Sequence, residues 1–483
     1  MIKINKEMLT DKIHGCWLGK NIGGTMGTPY EGKREMLDID GFKTKPGEVL
    51  PNDDLDLQLI WLHAAEQEGL HKLSANILAE YWVSFIPAHW NEYGVGKCNL
   101  KAGFLPPLSG EFGNEDWKNS NGAWIRSEVW ATMAPGFPNI AAKYAFMDAC
   151  VDHGIAEGTH AEVFTATLES YAFFESDIRK LIELGLSRIP EECEVAKKIR
   201  FVIECYDKGI DYREVRELLV KDFKKNLDWF QAPCNVAFVA LGLLYGEGDF
   251  KKSMIYAINC GDDTDCTGAT VGAILGIVYG KKGIPEDWAA YLGDNLVTVA
   301  IDRTSIGAHI PKTCTELTER ILDMIPFMFK ANGIKMEYTD GESDISDASA
   351  HKVLSGIEHK LFARMPYSYD GPDCVVFDSI VEYFDKPQIQ SGESIKVQVR
   401  FFNKLYDQRH LNIKLHLPEG WSCSPYKHSL HMNKECYQEI PEGHAWEVTI
   451  TAGEHVDAMN RAILEVTSCG RPTNVMIPII IAG

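Results

Sequence analysis

Two stripes of glycine at four-residue spacing place the strongest constraint on how this 483-residue chain can fold. They consist of Gly15, Gly19, Gly23 and Gly27, and of Gly268, Gly272, Gly276 and Gly280. Each glycine inside a helix costs roughly 0.5–1 kcal/mol relative to alanine, so both stripes need a structural reason. Residues four apart share a helical face, and a face without side chains lets another backbone or a ligand approach closely. We expect two tightly packed core helices, each running beside an acidic cluster.

The first two thirds of the chain are predicted to be helical. Apolar residues recur there at helical spacing, in segments separated by short loops rich in Pro, Gly and Asn. Strand-like alternation is scarce before residue 360. We predict an all-α catalytic domain over residues 1–335, packed helix on helix, and then a polar linker with a short helix over residues 336–365.

After this linker the apolar residues alternate with a period of two. Ser394-Ile-Lys-Val-Gln-Val-Arg-Phe-Phe and Ala445-Trp-Glu-Val-Thr-Ile-Thr show the pattern, and turns containing Pro-Glu-Gly and Ser-Gly-Glu separate such segments. The spacing predicts a small antiparallel β-sandwich over residues 366–483. The fold class is thus mainly α with a C-terminal β unit. We expect a structural or interaction role for the β unit, with carbohydrate binding as the alternative.

Acidic residues cluster at two predicted helix starts. The clusters are Asn52-Asp53-Asp54-Leu55-Asp56 and Asp262-Asp263-Thr264-Asp265-Cys266. A single aspartate suffices to cap a helix, and adjacent carboxylates repel one another unless solvent or a cation screens them. Carboxylate, hydroxyl and amide oxygens together suit hard divalent cations such as Mg²⁺ or Mn²⁺. If the two clusters meet in space, we expect them to hold one ion or two neighbouring ions.

The charge balance and the cysteines indicate which partners and which cellular compartment to expect. The formal net charge of −21 repels phosphate backbones, so duplex nucleic acid is not an expected partner. No stretch is long and apolar enough for a membrane span, and the first residues lack the apolar segment of a signal peptide. The 13 cysteines form no Cys-x-x-Cys pair and are expected to be reduced thiols, in a cytoplasmic protein.

Five segments between residues 10 and 330 follow, in order, the pattern of a known family. Three are a glycine-rich stretch leading to Glu31, then Asn52-Asp53-Asp54, and Gly261-Asp262-Asp263-Thr264-Asp265-Cys266. The other two are Asn121-Gly122-Ala123-Trp124-Ile125-Arg126 and Asp148-Ala-Cys-Val-Asp-His153. Together they resemble the ADP-ribosylglycohydrolase family, which includes the dinitrogenase reductase-activating glycohydrolases and the ADP-ribosyl-acceptor hydrolases.

The resemblance implies an orthogonal all-α fold with a two-metal centre, usually of Mg²⁺ or Mn²⁺, that cleaves a ribosyl-type glycosidic bond. The metal ligands that it implies by position are Asn52, Asp53, Asp54, Asp263, Asp265 and Cys266. Glu31 and Asp54 would handle protons. The pocket for the ribose would include Asn121, Gly122 and His153. The implied substrate is a ribosyl or ADP-ribosyl compound, either small or attached to a macromolecule.

Two positions depart from the family's pattern. Asn52 stands where the family has Thr or Ser, and its amide oxygen can still ligate Mg²⁺. Cys266 stands where the family has Thr, and sulfur is a softer ligand that suits Mg²⁺ poorly. One metal position would then be weakened, lost or altered in preference, unless Asp56 supplies an added carboxylate.

Other readings of the sequence remain open. A furanosidase or nucleoside hydrolase that acts on a different glycoside is one alternative, and an inactive ligand-binding relative is another. The aromatic side chains of Trp82, Trp90, Trp124 and Trp130 could stack on a base or sugar, although core packing is the commoner role of each. Isolated histidines such as His160 are expected to be structural.

Overall fold

The computed structural model describes residues 1–221, 227–301, 310–433 and 443–483, which form two compact units. The helical unit contains residues 1–97 and 114–363, and the β unit contains residues 98–113 and 364–483. Residues 336–363, where the sequence predicts a linker, thus belong to the helical unit. Residues 98–113, predicted to lie in the all-α domain, belong to the β unit because Phe104 and Leu108 join its hydrophobic core.

Helices make up most of the described chain before residue 335. In chain order they are α1 (Lys6–Gly27), α2 (Asp53–Glu68), α3 (Ala75–Phe85), α4 (Asn91–Ala102), α5 (Leu108–Glu111), α6 (Glu128–Met133), α7 (Pro138–His153), α8 (Glu157–Ala172), α9 (Ile178–Leu186), α10 (Glu194–Asp207), α11 (Tyr212–Lys221), α12 (Ala232–Tyr245), α13 (Phe250–Asn259), α14 (Thr264–Tyr279), α15 (Glu286–Leu292), α16 (Cys314–Ala331), α17 (Ala348–His351) and α18 (Ile357–Leu361). Strands β1 (Ile2–Asn5) and β2 (Met336–Thr339) pair in parallel. Among the described helices, none is both long and apolar enough to cross a bilayer.

The glycine stripes lie against each other along α1 and α14. An added Cβ at Gly19 would lie 2.0 Å from the carbonyl oxygen of Gly272, and one at Gly23 would lie 1.9 Å from that of Gly268. At the end of the stripe, an added Cβ at Gly27 would lie 2.2 Å from the carbonyl oxygen of Thr264. The two helices therefore run antiparallel with their backbones in contact, and no side chain could fit between them.

This antiparallel register decides where the helix ends lie. The C-terminal end of α1 meets the N-terminal end of α14, and the Thr264 hydroxyl donates to the Gly27 carbonyl oxygen at 2.9 Å. The segment after α1 is then held by two backbone hydrogen bonds of 2.9 Å, from Gly32 N to Asp262 O and from Asp262 N to Lys33 O. Glu31 is thereby placed beside the second acidic cluster, more than 200 residues away in the sequence.

The β unit contains two antiparallel sheets. Its described strands are β3 (Ser368–Asp370), β4 (Phe377–Tyr383), β5 (Ser394–Asn403), β6 (Arg409–His416), β7 (Ser422–Ser424), β8 (Ser429–Met432), β9 (His444–Thr451), β10 (Met459–Ser468) and β11 (Asn474–Ala482). Within the described residues, the strand orders are β3-β4-β5-β9-β7 and β11-β10-β6-β8. In register, Val399 on β5 lies opposite Val381 on β4 and Trp446 on β9.

One hydrophobic core joins the two sheets of the β unit. The alternating side chains of β5 point into it, as do Trp446 and Leu464. The Tyr383 hydroxyl donates to the Ile480 carbonyl oxygen at 2.8 Å and so links β4 to β11 across the core. The prediction of a mainly α chain with a C-terminal antiparallel β unit is confirmed.

We expect Gly19→Ala to lower the free energy of unfolding by about 2 kcal/mol. Overpacking costs up to about 3 kcal/mol, and alanine returns about 1 kcal/mol through its higher helix propensity. The cost of the clash exceeds the gain in helix propensity, because the added methyl group would meet backbone atoms, and no change of side-chain rotamer can relieve that contact. Urea unfolding measures the difference. Gly41→Ala is the control, since nothing lies within 4 Å of an added Cβ there. Equal effects of the two substitutions would contradict the close packing.

Candidate active site

A cavity of about 340 Å³ lies in the helical unit, lined by residues at the end of α1 and at the starts of α2 and α14. Carboxyl groups dominate its polar lining, which includes Glu31, Asp53, Asp263, Asp265 and Glu92. Its size lies within the range of about 300–1,000 Å³ that is usual for small-molecule sites. Acidic residues from distant parts of the sequence thus share one cavity.

The first acidic cluster is positioned by the N-cap of α2. The side-chain oxygen of Asn52 accepts a hydrogen bond of 2.8 Å from the backbone N–H of Asp54. Gly24 makes room for this cap, because an added Cβ there would lie 2.0 Å from Nδ2 of Asn52. The Asn52 side chain is therefore engaged by the cap behind the cavity, whereas Asp53 in the first turn lines the cavity.

The second acidic cluster opens α14 and meets the first one. Nδ2 of Asn121 donates to Oδ2 of Asp263 at 2.7 Å, and the backbone N–H of Asp263 donates to Oδ1 of Asn235 at 3.1 Å. The thiol of Cys266 donates to Oδ1 of Asp54 at 3.2 Å. This last contact joins the two acidic clusters directly, across 212 positions of sequence.

The cavity carboxyls are crowded and poorly solvated, and their pKa values are raised. Burial raises the pKa of Asp263 to about 7, and the charges of Glu31 and Asp54 add to the effect. Burial, followed by the charge of Asp263, raises the pKa of Asp265 well above its usual range. Partial desolvation and the charge of Asp53 raise the pKa of Glu31. The protein by itself therefore does not keep all of these groups ionised at neutral pH.

The donor set fits a divalent cation. Oδ1 of Asp263 and Oδ1 of Asp265 are buried and have no hydrogen-bond partner among the described residues. Ligand atoms of Asp263, Asp265 and Cys266 all lie within 4.8 Å of one another. A cation between such oxygens would offset both the lost hydration and the mutual repulsion.

Three residues named from the sequence lie behind the cavity wall. Asp54 is buried beneath Cys266, as described above. Asp56 is committed elsewhere, because its Oδ2 accepts the backbone N–H groups of Val299 and Ala300 at 2.5 Å each. His153 is fully buried, with Nε2 3.1 Å from the Ser120 hydroxyl and Nδ1 2.9 Å from Asp152. It contacts the residue before Asn121 and in this way supports the wall.

A buried arginine orders the wall that contains Asn121 and Gly122. Nη1 of Arg126 donates to the Gly122 carbonyl oxygen at 2.7 Å. The same guanidinium binds Asp148 at 2.8 Å and Asp152 at 2.7 Å, all with fully buried side chains. The Asn-Gly-x-x-x-Arg spacing is thereby explained, since the arginine closes back on the glycine four residues before it.

The family model described as ADP-ribosylglycohydrolase matches residues 5–323, which is well over half of the chain.

The chain belongs to the ADP-ribosylglycohydrolase family.

Relatives of this ADP-ribosylglycohydrolase include two bacterial proteins that carry the same name. ADP-ribosylarginine hydrolase Tri1 of Pseudomonas putida (strain GB-1) is 28% identical over 337 residues, which cover 66% of this chain and 80% of the relative. The protein of that name from Serratia proteamaculans (strain 568) is 23% identical over 297 residues, covering 58% and 74% respectively. A solved structure described as an ADP-ribosylglycohydrolase-related protein complex is 19% identical, covers 67% of this chain and 99% of its own, and has a TM-score of 0.42.

Family membership and the fold confirm the resemblance seen in the sequence. As an ADP-ribosylglycohydrolase, the protein is a hydrolase that acts on glycosidic bonds. The family match covers the helical unit up to α16, whereas the strands β3 to β11 follow after the matched region.

Four acidic or aromatic residues that line the cavity of this ADP-ribosylglycohydrolase were not predicted from the sequence. They are Glu92, Tyr93, Trp229 and Phe230. The hydroxyl of Tyr93 donates to Oδ2 of Asp53 at 3.3 Å. No spacing in the sequence marks these residues as functional, because α4 and the loop before α12 reach the cavity only through the packing of the helices.

The tryptophans divide between the two roles considered from the sequence. Trp82, Trp124 and Trp130 are fully buried and belong to the core. Trp90 lines the cavity and is 47% exposed, which leaves its ring free to contact a ligand.

Glu92 is a buried acid beside the wall that contains Gly122. Its side chain lies against Gly122, where an added Cβ would be 2.0 Å from Oε1. Burial, followed by the charge of Asp152, raises the pKa of Glu92 from 4.5 to about 8. The carboxyl group of Glu92 therefore stays mostly protonated at neutral pH.

We expect Glu92→Gln to flatten the dependence of stability on pH. Between pH 4.5 and about 8 the native state holds a proton on Glu92 that the unfolded state has released. Stability is therefore lost as the pH rises, by up to about 1.4 kcal/mol per pH unit. Glutamine has no titrating proton, so the free energy of unfolding of the variant should rise relative to that of the wild type from pH 5 to pH 8.

Urea unfolding at several pH values, in the presence of a chelator, measures this gain. Glu80→Gln, at an exposed position of α3, is the control and should leave the profile unchanged. Parallel profiles for Glu92→Gln and the wild type would show that the buried carboxyl is not held neutral.

Proposed function

We propose that this protein is a divalent-metal-dependent hydrolase that releases ADP-ribose from a nitrogen acceptor, foremost the guanidinium group of arginine. The observation that carries the proposal is the convergence of Glu31, Asp53, Asp263 and Asp265 on one cavity. Cleavage of a ribosyl bond develops positive charge at the anomeric carbon, and carboxylates around the sugar stabilise that charge.

The metal ligands that we propose are Asp53, Asp263 and Asp265, with Cys266 beside them in the cavity lining and Asp54 behind Cys266. Two ions of Mg²⁺ or Mn²⁺, when bound, would hold sugar hydroxyls and make a bound water more acidic. Asn121 would orient Asp263 through its hydrogen bond of 2.7 Å. Asn52 would act through the cap that it forms on Asp54.

Glu31 is the residue that we propose takes the proton from the attacking water. Its carboxyl group lines the cavity, and burial together with the charge of Asp53 raises its pKa, which makes the carboxylate a stronger base. Asp54, the other candidate for this role, is 1% exposed and lies beneath the Cys266 thiol. We propose that Asp54 positions ligands and that Glu31 moves the proton.

Two observations support arginine as the acceptor. Trp90, Tyr93 and Trp229 line the same cavity, and aromatic faces suit a flat cation such as guanidinium. The two named relatives are called ADP-ribosylarginine hydrolases. Gly122 and the wall supported by His153 would then face the ribose.

Product analysis with a panel of substrates tests the proposed reaction. ADP-ribosylated arginine, ADP-ribosylated serine and simple nucleosides are incubated with the enzyme in Mg²⁺, Mn²⁺ or chelator. Release of ADP-ribose from the arginine conjugate, abolished by chelator, is the expected result. Release of a free base from nucleosides would instead indicate a nucleoside hydrolase, and an absence of release from every substrate an inactive relative.

We expect Asp53→Ala and Asp265→Ala to remove metal binding and turnover together. Changes around a metal ligand typically cost 10–100-fold, so loss of a direct ligand should lower kcat/KM by more than about 100-fold. Metal content after gel filtration and initial rates are the two measurements.

Asp262→Asn is the matched control for these two variants. Asp262 belongs to the second acidic cluster but is not among the residues that line the cavity. Its Oδ1 lies 3.5 Å from Nη2 of Arg216, and its φ of 58° suits asparagine. The control should keep both metal and activity. Full activity in both Asp53→Ala and Asp265→Ala would remove the proposed metal site.

We expect Glu31→Gln to separate metal binding from catalysis. Loss of a general base costs about 10²–10⁴-fold in rate, whereas the proposed ligands stay in place. The variant should therefore keep the wild-type metal content and lose kcat. If metal content and kcat fall in parallel, Glu31 is a ligand and not the base.

A further inference from the structure

A second group of metal-binding side chains lies at the starts of α8 and α10. It consists of Glu157, His160 and Cys193, named here the Glu157 cluster. One ligand atom from each residue lies within 4.8 Å of the others. None of the three is among the residues that line the acidic cavity.

The distance between Glu157 and His160 is too long for a hydrogen bond. Nδ1 of His160 lies 3.6 Å from Oε2 of Glu157, beyond the usual range of about 2.7–3.2 Å. This Nδ1 atom is buried and has no hydrogen-bond partner within the described part of the chain. Two ligands of a tetrahedral zinc ion, each bonded at about 2.0–2.1 Å, stand about 3.4 Å apart. The observed spacing matches a shared ion better than a direct bond.

The fold holds the other two ligands in place. The Glu157 carboxylate accepts the backbone N–H groups of Glu194 and Val195 at 3.0 Å each, and Sγ of Cys193 accepts that of Ala196 at 3.4 Å. These bonds cap α10 and explain the places of Glu157 and Cys193 without a ligand. They do not account for His160, whose ring packs edge-on against Phe362 with Nδ1 toward the cluster.

We propose that the Glu157 cluster binds one transition-metal ion of the zinc class, with water as the fourth ligand. Thiolate, imidazole and carboxylate donors favour zinc over magnesium, in contrast to the oxygen-rich acidic cavity. A Glu and a His three residues apart on one helix are a pair that helical proteins use for metal binding. Binding releases the thiol proton of Cys193 to solvent, because the thiolate is the ligand. The ion ties the start of α8 to the start of α10.

Cobalt substitution tests this site on the full-length protein. The protein is stripped with chelator and titrated with Co²⁺, and the thiolate-to-cobalt charge-transfer absorption is recorded. One equivalent of Co²⁺ should produce the band, and one equivalent of Zn²⁺ should remove it. Since the thiol of Cys266 also lies among carboxyl groups, the titration is repeated in Cys266→Ser, which should keep the band.

The variants separate ligation from a general effect on folding. Cys193→Ser should lose the band, whereas Cys205→Ser, at another buried cysteine of α10, should keep it. His160→Phe keeps a ring against Phe362 but no ligand atom, and should weaken Co²⁺ binding at least tenfold with an unchanged circular dichroism spectrum. The proposal is overturned if no band forms in the wild type, if it survives Cys193→Ser, or if it disappears in Cys266→Ser.

Discussion

Where α1 crosses α14, glycines of one helix lie against carbonyl oxygens of the other, and no side chain separates the two backbones. This contact opposes small shifts of register, because a shift by a single residue would drive a side chain into a backbone. The register brings Gly27 beside Thr264, and the chain after α1 then pairs with Asp262. The position of Glu31 and the position of the second acidic cluster both depend on this register.

Charge is treated differently in the cavity and in the walls around it. Around the cavity, two sets of buried charges are paired: Lys20 binds Glu128 at 2.7 Å, and Arg126 bridges Asp148 and Asp152. In the cavity, Asp263 and Asp265 each keep a buried oxygen without a partner among the described residues. An unpaired buried charge costs several kcal/mol, and a cation bound between these oxygens would offset that cost.

The helical unit also carries two donor sets of different chemistry. The acidic cavity offers mainly carboxylate oxygens, and the Glu157 cluster offers sulfur, nitrogen and one carboxylate. A hard cation such as Mg²⁺ prefers the oxygen donors, whereas a borderline cation such as Zn²⁺ prefers the set that contains sulfur and nitrogen. The exception is Cys266, whose thiol lies among the oxygens and donates a hydrogen bond to Asp54. Cys266 is one of the two departures from the family's pattern, and it gives the acidic cavity a soft donor among its oxygens.

The sequence by itself determined the secondary structure and the chemistry of the acid clusters. The glycine stripes, the change of period after residue 365 and the paired acid motifs are local patterns, and each is visible in a short stretch of chain. Only the tertiary structure decided which side chains face the cavity. Asp53 lines it while Asp54 and His153 lie behind its wall, and Glu92 and Trp229 join it without any motif. The physical reason is that exposure to a cavity depends on how helices distant in sequence pack together, and neighbouring residues on a helix point in different directions.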